Sequence, residues 1–471
     1  MILAARKRRE LISKLDSLTV EFKHWRDASE LQHPLEKHNS QVKRILGQLE
    51  PCEQALRTDL GSMSDDDVPL KYRDFEQQIL EVHRIWEFFR SKLVLRSDAL
   101  FSGYLVAADE LAWACYKPMR DAAEALLQPG ELKEPPLAFL NGGSIPFAAP
   151  RNQMFRPENV PNQKLTTLAF IDILRALPVP VLGLPWFSIC HLPDILVLGH
   201  ETGHIVAEDL KLVSTFQTRL ADTAIPKDRL PAWSAWCREV FADLYGTLAT
   251  GPEFVSTLMD FLAASPEALA AEQLPAYSGG PLGDYPTAEL RIRLCLRLLE
   301  KVESEMGRFV RSYGDKPEDK KYILATLKAA WNPAGSSHAM PLYEQDFDAL
   351  IETLLGSFTE LNGKKIYDII CFTPTHYLAA DTDARKALLN DKLESRSPLI
   401  LISAARIAYD RKPDDYKANF VQSRVLARIA DREPGTRVSE SIRQNVDEYD
   451  KQSGIALLKL LRKPEQDTPN I

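Results

Sequence analysis

The residues from His200 to His204 combine two histidines and a carboxylate at the spacing of a metal site. Two histidines four positions apart lie on one face of a helix, one turn apart, so both imidazoles can reach a single ion. Glu201 between them then lies beside the metal, where a carboxylate can accept a proton from water. The alternative is a buried helix whose histidines hydrogen-bond to backbone carbonyls. We favour the zinc site.

A second helix, which begins near Pro231 and ends before Gly251, offers candidates for a third ligand. Glu239 and Asp243 lie four positions apart on this helix and therefore share a face. Glu239 can bind the metal, while Asp243 accepts the free N–H of a ligand histidine. The alternative is a solvated acidic stripe, which the apolar neighbours of the two residues disfavour because buried unpaired carboxylates are costly.

Motifs that follow the two histidines separate the classes of zinc peptidase. Ala207 and Leu210 occupy the positions at which metzincins carry a glycine and a third histidine, so that class is excluded. A later segment, from Tyr285 to Ile292, follows a loop rich in glycine and proline and opens a helix. In order along the chain, HExxH, ExxAD and (H/Y)PxxxxRI form a pattern typical of one gluzincin family.

The chain resembles the HtpX-like and type I CAAX prenyl proteases, a family of gluzincin zinc metallopeptidases. The resemblance lies in nine residues: His200, Glu201, His204, Glu239, Ala242, Asp243, Pro286, Arg291 and Ile292. It implies a zinc ion held by both histidines and Glu239, Glu201 as the general base, and Arg291 as a residue that orients the site. The family's histidine in the third motif is Tyr285 here, which we predict as the oxyanion donor. Alternatives for this donor are Tyr245, His338, Tyr343, His376 and Tyr377.

Composition limits the remaining possibilities. The chain has 471 residues, 45% hydrophobic and 26% charged, with a net charge of −8 and a pI near 5.7. These values are typical of a globular protein and disfavour a nucleic-acid surface. The basic N-terminus is followed by no apolar segment, the most apolar stretch contains several prolines, and the six cysteines form no CxxC pair. We expect a cytoplasmic protein without a membrane span.

The predicted fold is mainly α, with a zincin-like (gluzincin) catalytic core and at most a small sheet. Three regions are expected: an N-terminal helical bundle at 1–128, a catalytic region at 129–313 and a C-terminal helical region at 314–471. Within the second region we predict a helix at 163–177, followed at 179–185 by an extended segment that its prolines confine to a sheet edge. Such an edge strand could hold a substrate backbone by strand addition, and the alternative is an irregular packing segment. Oligomeric state is not predicted.

The function favoured by the sequence is a soluble zinc-dependent endopeptidase that acts on protein or peptide substrates, with Glu201 as the general base. Two alternatives stay open. One is an exopeptidase of aminopeptidase type, although the chain lacks the GxMEN sequence that holds a free amine. The other is a helical binding or scaffold protein with a non-catalytic metal site.

Overall fold

Apolar residues recur at three- and four-residue spacing along most of the chain, and this periodicity produces a mainly α-helical fold. A computed structural model describes residues 2–31, 33, 35–127, 133–149, 179–275, 283, 285–313, 319–331, 339–431 and 443–461. These residues form nineteen α-helices and two small sheets, which confirms the mainly α class.

Four long helices fill the N-terminal region, where a helical bundle is predicted. They are α1 (Ile2–Ala28), α2 (Asn39–Ser62), α3 (Asp67–Leu93) and α4 (Ala99–Ala123). The first three share an apolar core that includes Leu15, Ile45 and Trp86. Helix α4 begins where the Asp98 carboxylate accepts a hydrogen bond from the backbone N–H of Leu100.

Three strands form the sheet next to the predicted site: β1 (Leu137–Asn141), β2 (Phe147–Ala149) and β3 (Val181–Pro185). Their order is β1-β3-β2, with β1 parallel and β2 antiparallel to β3. The prediction of an edge position for 179–185 is therefore wrong, because β3 is the central strand. Pro180 precedes the strand and Pro185 is its last residue, so the interior keeps its N–H donors. The helix predicted at 163–177 lies outside the described residues.

The outer edge of β1 is closed by a buried ion pair. The Asp109 carboxylate accepts from the backbone N–H of Ala138 at 3.2 Å, and the Arg96 guanidinium donates to the Ala138 carbonyl at 2.6 Å. Arg96 and Asp109 also bind each other at 2.8 Å. Among the strands that the structure describes, this leaves β2 as the edge with no strand neighbour on its outer side.

Six helices follow the sheet: α5 (Leu198–Asp209), α6 (Leu212–Ala221), α7 (Leu230–Thr250), α8 (Pro252–Phe261), α9 (Pro266–Ala271) and α10 (Ala288–Met306). A 3₁₀ turn, Leu192–Val197, leads into α5 and has Pro193 in its first turn. Helix α7 ends at Gly251, whose φ of 72° is accessible to glycine. Helix α10 begins where the Thr287 hydroxyl accepts from the Leu290 N–H at 3.3 Å.

After α10, the part of the chain that the structure describes contains a two-stranded sheet and nine α-helices. The elements are β4 (Val310–Ser312), β5 (Lys320–Tyr322), α11 (Ile323–Ala330), α12 (Met340–Glu344), α13 (Phe347–Leu355), α14 (Ile366–Ile369), α15 (Pro374–Leu388), α16 (Pro398–Arg411), α17 (Pro413–Ala418), α18 (Val421–Ala430) and α19 (Arg443–Leu461). Helix α19 returns to α2, where Arg44 binds Asp450 at 2.8 Å. None of the helices in the described ranges has the length and apolar character needed to cross a bilayer.

Candidate metal centre

Helices α5 and α7 cross at small residues. A Cβ atom on Gly203 would lie 3.0 Å from Ala242 Cα, and one on Gly199 would lie 3.2 Å from Gly246 Cα. A Cβ atom on Gly246 would in turn lie 3.0 Å from the backbone nitrogen of His200. The two backbones therefore approach as closely as glycine allows, which brings the side chains of α7 within reach of the two histidines of α5.

Three side chains meet at this crossing with their ligand atoms facing one another. His200 Nε2 lies 3.1 Å from His204 Nε2 and 3.5 Å from Glu239 Oε2, and His204 Nε2 lies 3.4 Å from Glu239 Oε1. Atoms bound tetrahedrally at roughly 2.0–2.1 Å from zinc are about 3.3 Å apart. The two imidazole nitrogens have that spacing, and each of them lies within 3.5 Å of a different oxygen of Glu239. His200, His204 and Glu239 thus form a group that could hold a metal ion.

Asp243 and Arg291 orient this group from one layer further out. His200 Nδ1 donates to Asp243 Oδ1 at 2.8 Å, so the lone pair of its other ring nitrogen, Nε2, points to the metal position. Arg291 on α10 binds both oxygens of Asp243, at 2.7 and 2.8 Å. Asp243 is 1% exposed and Arg291 is largely buried, so the guanidinium fixes both carboxylate oxygens, including the one that accepts from the imidazole.

The electrostatic balance of the group favours a cation. Burial would raise the pKa of the Asp243 carboxyl, but the Arg291 guanidinium and His200 outweigh it and hold that pKa low. Burial opposes the charged form of His200, yet Asp243 and Glu239 raise its pKa to about 10. With both imidazoles neutral, the carboxylates of Glu201, Glu239 and Asp243 exceed the one guanidinium by two charges. A divalent ion would balance that excess.

Glu201 occupies a different position from the three ligand residues. It is 7% exposed, and burial raises the pKa of its carboxyl despite the opposing effect of the two histidines. The backbone N–H of Ala148 in β2 faces this carboxylate and favours its ionised form. The edge strand of the sheet therefore passes directly beside Glu201, a contact that our reading of the sequence missed.

Two acidic residues at the end of α5 are engaged elsewhere. Glu208 Oε1 binds Arg238 at 2.7 Å, and Asp209 Oδ2 accepts from the Tyr116 hydroxyl at 2.7 Å. Neither residue belongs to the described metal-ligating group, which contains Glu239 as its only carboxylate. The Glu208–Arg238 pair links α5 to α7 at the rim of the site.

Tyr285 lies in the turn before α10 and is 53% exposed. Among the described residues it makes no hydrogen bond to His200, His204 or Glu239, and its role as oxyanion donor stays a prediction. Four of the alternative residues for that role form hydrogen bonds elsewhere in the structure. Tyr245 donates to the Cys115 carbonyl, Tyr343 donates to the Pro275 carbonyl, Tyr377 accepts from Arg311, and His376 caps α15. His338 lies outside the described residues.

Comparisons with known proteins do not assign the chain to a family. No family model matches the chain, and neither a curated protein nor a solved structure matches it significantly. The case for the site therefore rests on its residues and geometry.

Proposed function

We propose that this protein is a zinc-dependent endopeptidase of the gluzincin type. The observation that supports the proposal most directly is the set of distances among His200, His204 and Glu239, which suits tetrahedral coordination with one position left open. Two imidazole nitrogens and one carboxylate oxygen are donors that suit zinc. A purely structural zinc site is usually closed by four protein ligands, whereas this group offers three.

A zinc ion bound to these residues would supply Lewis-acid chemistry, which lowers the pKa of water and polarises a peptide carbonyl. Glu201 accepts the proton of the attacking water and then delivers it to the leaving amine. Burial raises the pKa of its carboxyl and so makes the carboxylate a stronger base. Asp243, held by Arg291, keeps the His200 ring in place and fixes its tautomer.

The substrate backbone has a place to bind at the outer edge of β2. An extended peptide can pair with a strand edge, and pairing at β2 would release the outward N–H of Ala148 from the Glu201 carboxylate. Such pairing would bring a peptide bond beside the general base. We assign Tyr285 to the oxyanion, and propose that residues 129–313 form the catalytic region while the helical regions at 1–128 and 314–471 select or gate the substrate.

The test combines metal content with proteolysis. The wild-type protein should contain about one zinc per chain and generate new termini inside unfolded proteins, as mapped by mass spectrometry. Glu201→Gln should keep zinc and lose nearly all cleavage, whereas Glu239→Ala should lose zinc. Glu208→Gln, on the same helix, is the matched control and should retain both zinc and activity.

Three outcomes would contradict the proposal or a part of it. Full zinc content with no cleavage would favour the helical binding protein with a non-catalytic metal site. Release of single residues from chain ends, without internal cuts, would favour the exopeptidase. Full zinc in Glu239→Ala would remove Glu239 from the ligand set.

A further inference from the structure

Three large apolar side chains are exposed together at one end of the β1-β3-β2 sheet. Ile145 is 64% exposed, Trp186 is 59% exposed and Phe187 is 48% exposed. The rings of Trp186 and Phe187 meet edge to face with their centroids 6.3 Å apart. We call these three residues the apolar patch.

The register of the sheet explains why the patch is one surface. The order β1-β3-β2 carries the connection 142–146, which contains Ile145, across the end of β3, where Asn141 of β1 pairs with Pro185. Trp186 and Phe187 follow Pro185 directly. The patch is therefore continuous with the start of β2, the strand whose Ala148 lies beside Glu201.

The distance along the chain from Ala148 to the patch determines which residue of a bound substrate would reach the patch. Ile145 precedes Ala148 by three residues, which corresponds to about 10 Å at roughly 3.3 Å per residue. A peptide paired with the outer edge of β2 would pass Glu201 and reach the patch about three residues away. Antiparallel pairing is the more stable arrangement per residue and places that position on the C-terminal side of the cleaved bond.

We infer that the apolar patch is a specificity subsite that binds a large apolar side chain of an extended peptide substrate, about three residues from the cleaved bond. This inference rests on the proposed peptidase function. Its occupant is a segment of unfolded polypeptide, since only an extended chain can both pair with β2 and span the distance to the patch. Burial of an exposed indole and an isoleucine by the substrate stabilises the complex.

The experiment uses two peptides that differ at one position. Both contain the same cleavable core, and the third residue on the C-terminal side is Phe in one and Ser in the other. For the wild-type protein we expect kcat/KM to be about tenfold higher for the Phe peptide, a typical discrimination for an apolar contact. In Trp186→Ser this ratio should fall towards one. Leu70→Ser, which changes an 80% exposed residue on α3, should keep the tenfold ratio.

Binding to Glu201→Gln protein, measured by fluorescence anisotropy of the same labelled peptides, separates the subsite from the chemistry. A Kd ratio near ten that is lost when Trp186→Ser is added supports the subsite, even if the wild-type protein cleaves nothing and the peptidase proposal fails. Equal Kd and equal kcat/KM for the two peptides would overturn the subsite while leaving a cleaving enzyme intact. If the Trp186-dependent preference is found instead for a residue on the N-terminal side of the cleaved bond, the patch is still the subsite, but the substrate runs parallel to β2. If the protein binds phosphatidylcholine vesicles through Trp186 but does not distinguish the Phe peptide from the Ser peptide, the patch binds a lipid surface and the subsite inference is wrong.

Discussion

Replacing Gly203 with alanine tests whether the close crossing of α5 and α7 builds the metal centre. The new Cβ atom would lie 3.0 Å from Ala242 Cα and 3.1 Å from Tyr245 Cβ. Carbon atoms in favourable contact are about 3.5–4.0 Å apart, so the two helices must separate by roughly 0.5 Å. Because the backbone of α7 is one of the obstructing groups, a rotamer change alone does not relieve the overlap.

This separation acts directly on the ligand distances. His200 and His204 belong to α5 and Glu239 belongs to α7, and their contacts of 3.5 and 3.4 Å already reach the upper side of tetrahedral geometry. A further 0.5 Å exceeds the tolerance of about 0.2 Å in metal–ligand distance. We therefore expect zinc affinity to fall at least tenfold, measured by competition with a chromophoric chelator.

The stability of the metal-free protein should change much less. Alanine in place of glycine inside a helix stabilises it by about 1 kcal/mol, and overpacking costs about 1–3 kcal/mol, so the net loss is about 0–2 kcal/mol. Gly61→Ala is the matched control, since a Cβ atom there has no neighbour within 4 Å. It should gain stability in urea unfolding and leave zinc affinity unchanged. Wild-type zinc affinity in Gly203→Ala would refute the argument.

Three further predictions concern other residues. Asp243→Asn should lower zinc affinity or turnover by about 10–100-fold without unfolding the protein, as chelator competition and circular dichroism would show. Tyr285→Phe should lower kcat by about 100–1000-fold with zinc content unchanged, and an unaltered kcat would mean that this hydroxyl does not stabilise the oxyanion. Burial lowers the pKa of Lys92 from 10.5 to about 7, so between these values the unfolded chain binds a proton that the folded protein does not, and stability rises with pH. The wild-type protein should gain about 2 kcal/mol relative to Lys92→Met between pH 7 and pH 9 in urea unfolding, and parallel curves would exclude this lysine as the source.

Much of the helical architecture could be predicted because local signals agree with tertiary packing. The second site helix begins near Pro231 and ends at Gly251, as its start and stop signals indicate. The helix predicted to open in the segment from Tyr285 is observed as α10, which begins after the Thr287 cap and ends before Gly307. The strand β5, three residues directly before α11, was not predicted. Short strands depend on partners distant in sequence, which local periodicity does not reveal.

Some features of the candidate site were likewise predictable from the sequence, and others were not. The spacing of His200, His204 and Glu239 on two helices was sufficient to predict that they meet. The contact between Ala148 and Glu201 was not predictable, because a backbone N–H has no residue type to recognise. The crossing of the two helices did leave a signal that we overlooked. Gly199 and Gly203 on one helix, and Ala242 and Gly246 on the other, are pairs of small residues four positions apart.

The burial of Glu201 is the strongest physical argument for chemistry at this centre. A metal site needs only His200, His204 and Glu239, so a fourth carboxyl group beside them costs free energy without adding a ligand. Burial raises the pKa of that carboxyl, while the histidines and the Ala148 N–H favour its ionised form. A perturbed carboxyl group beside a set of metal-ligating residues is typical of a catalytic site. In a scaffold protein, an apolar residue at position 201 would serve the fold better. The cost is explained if Glu201 moves a proton during hydrolysis.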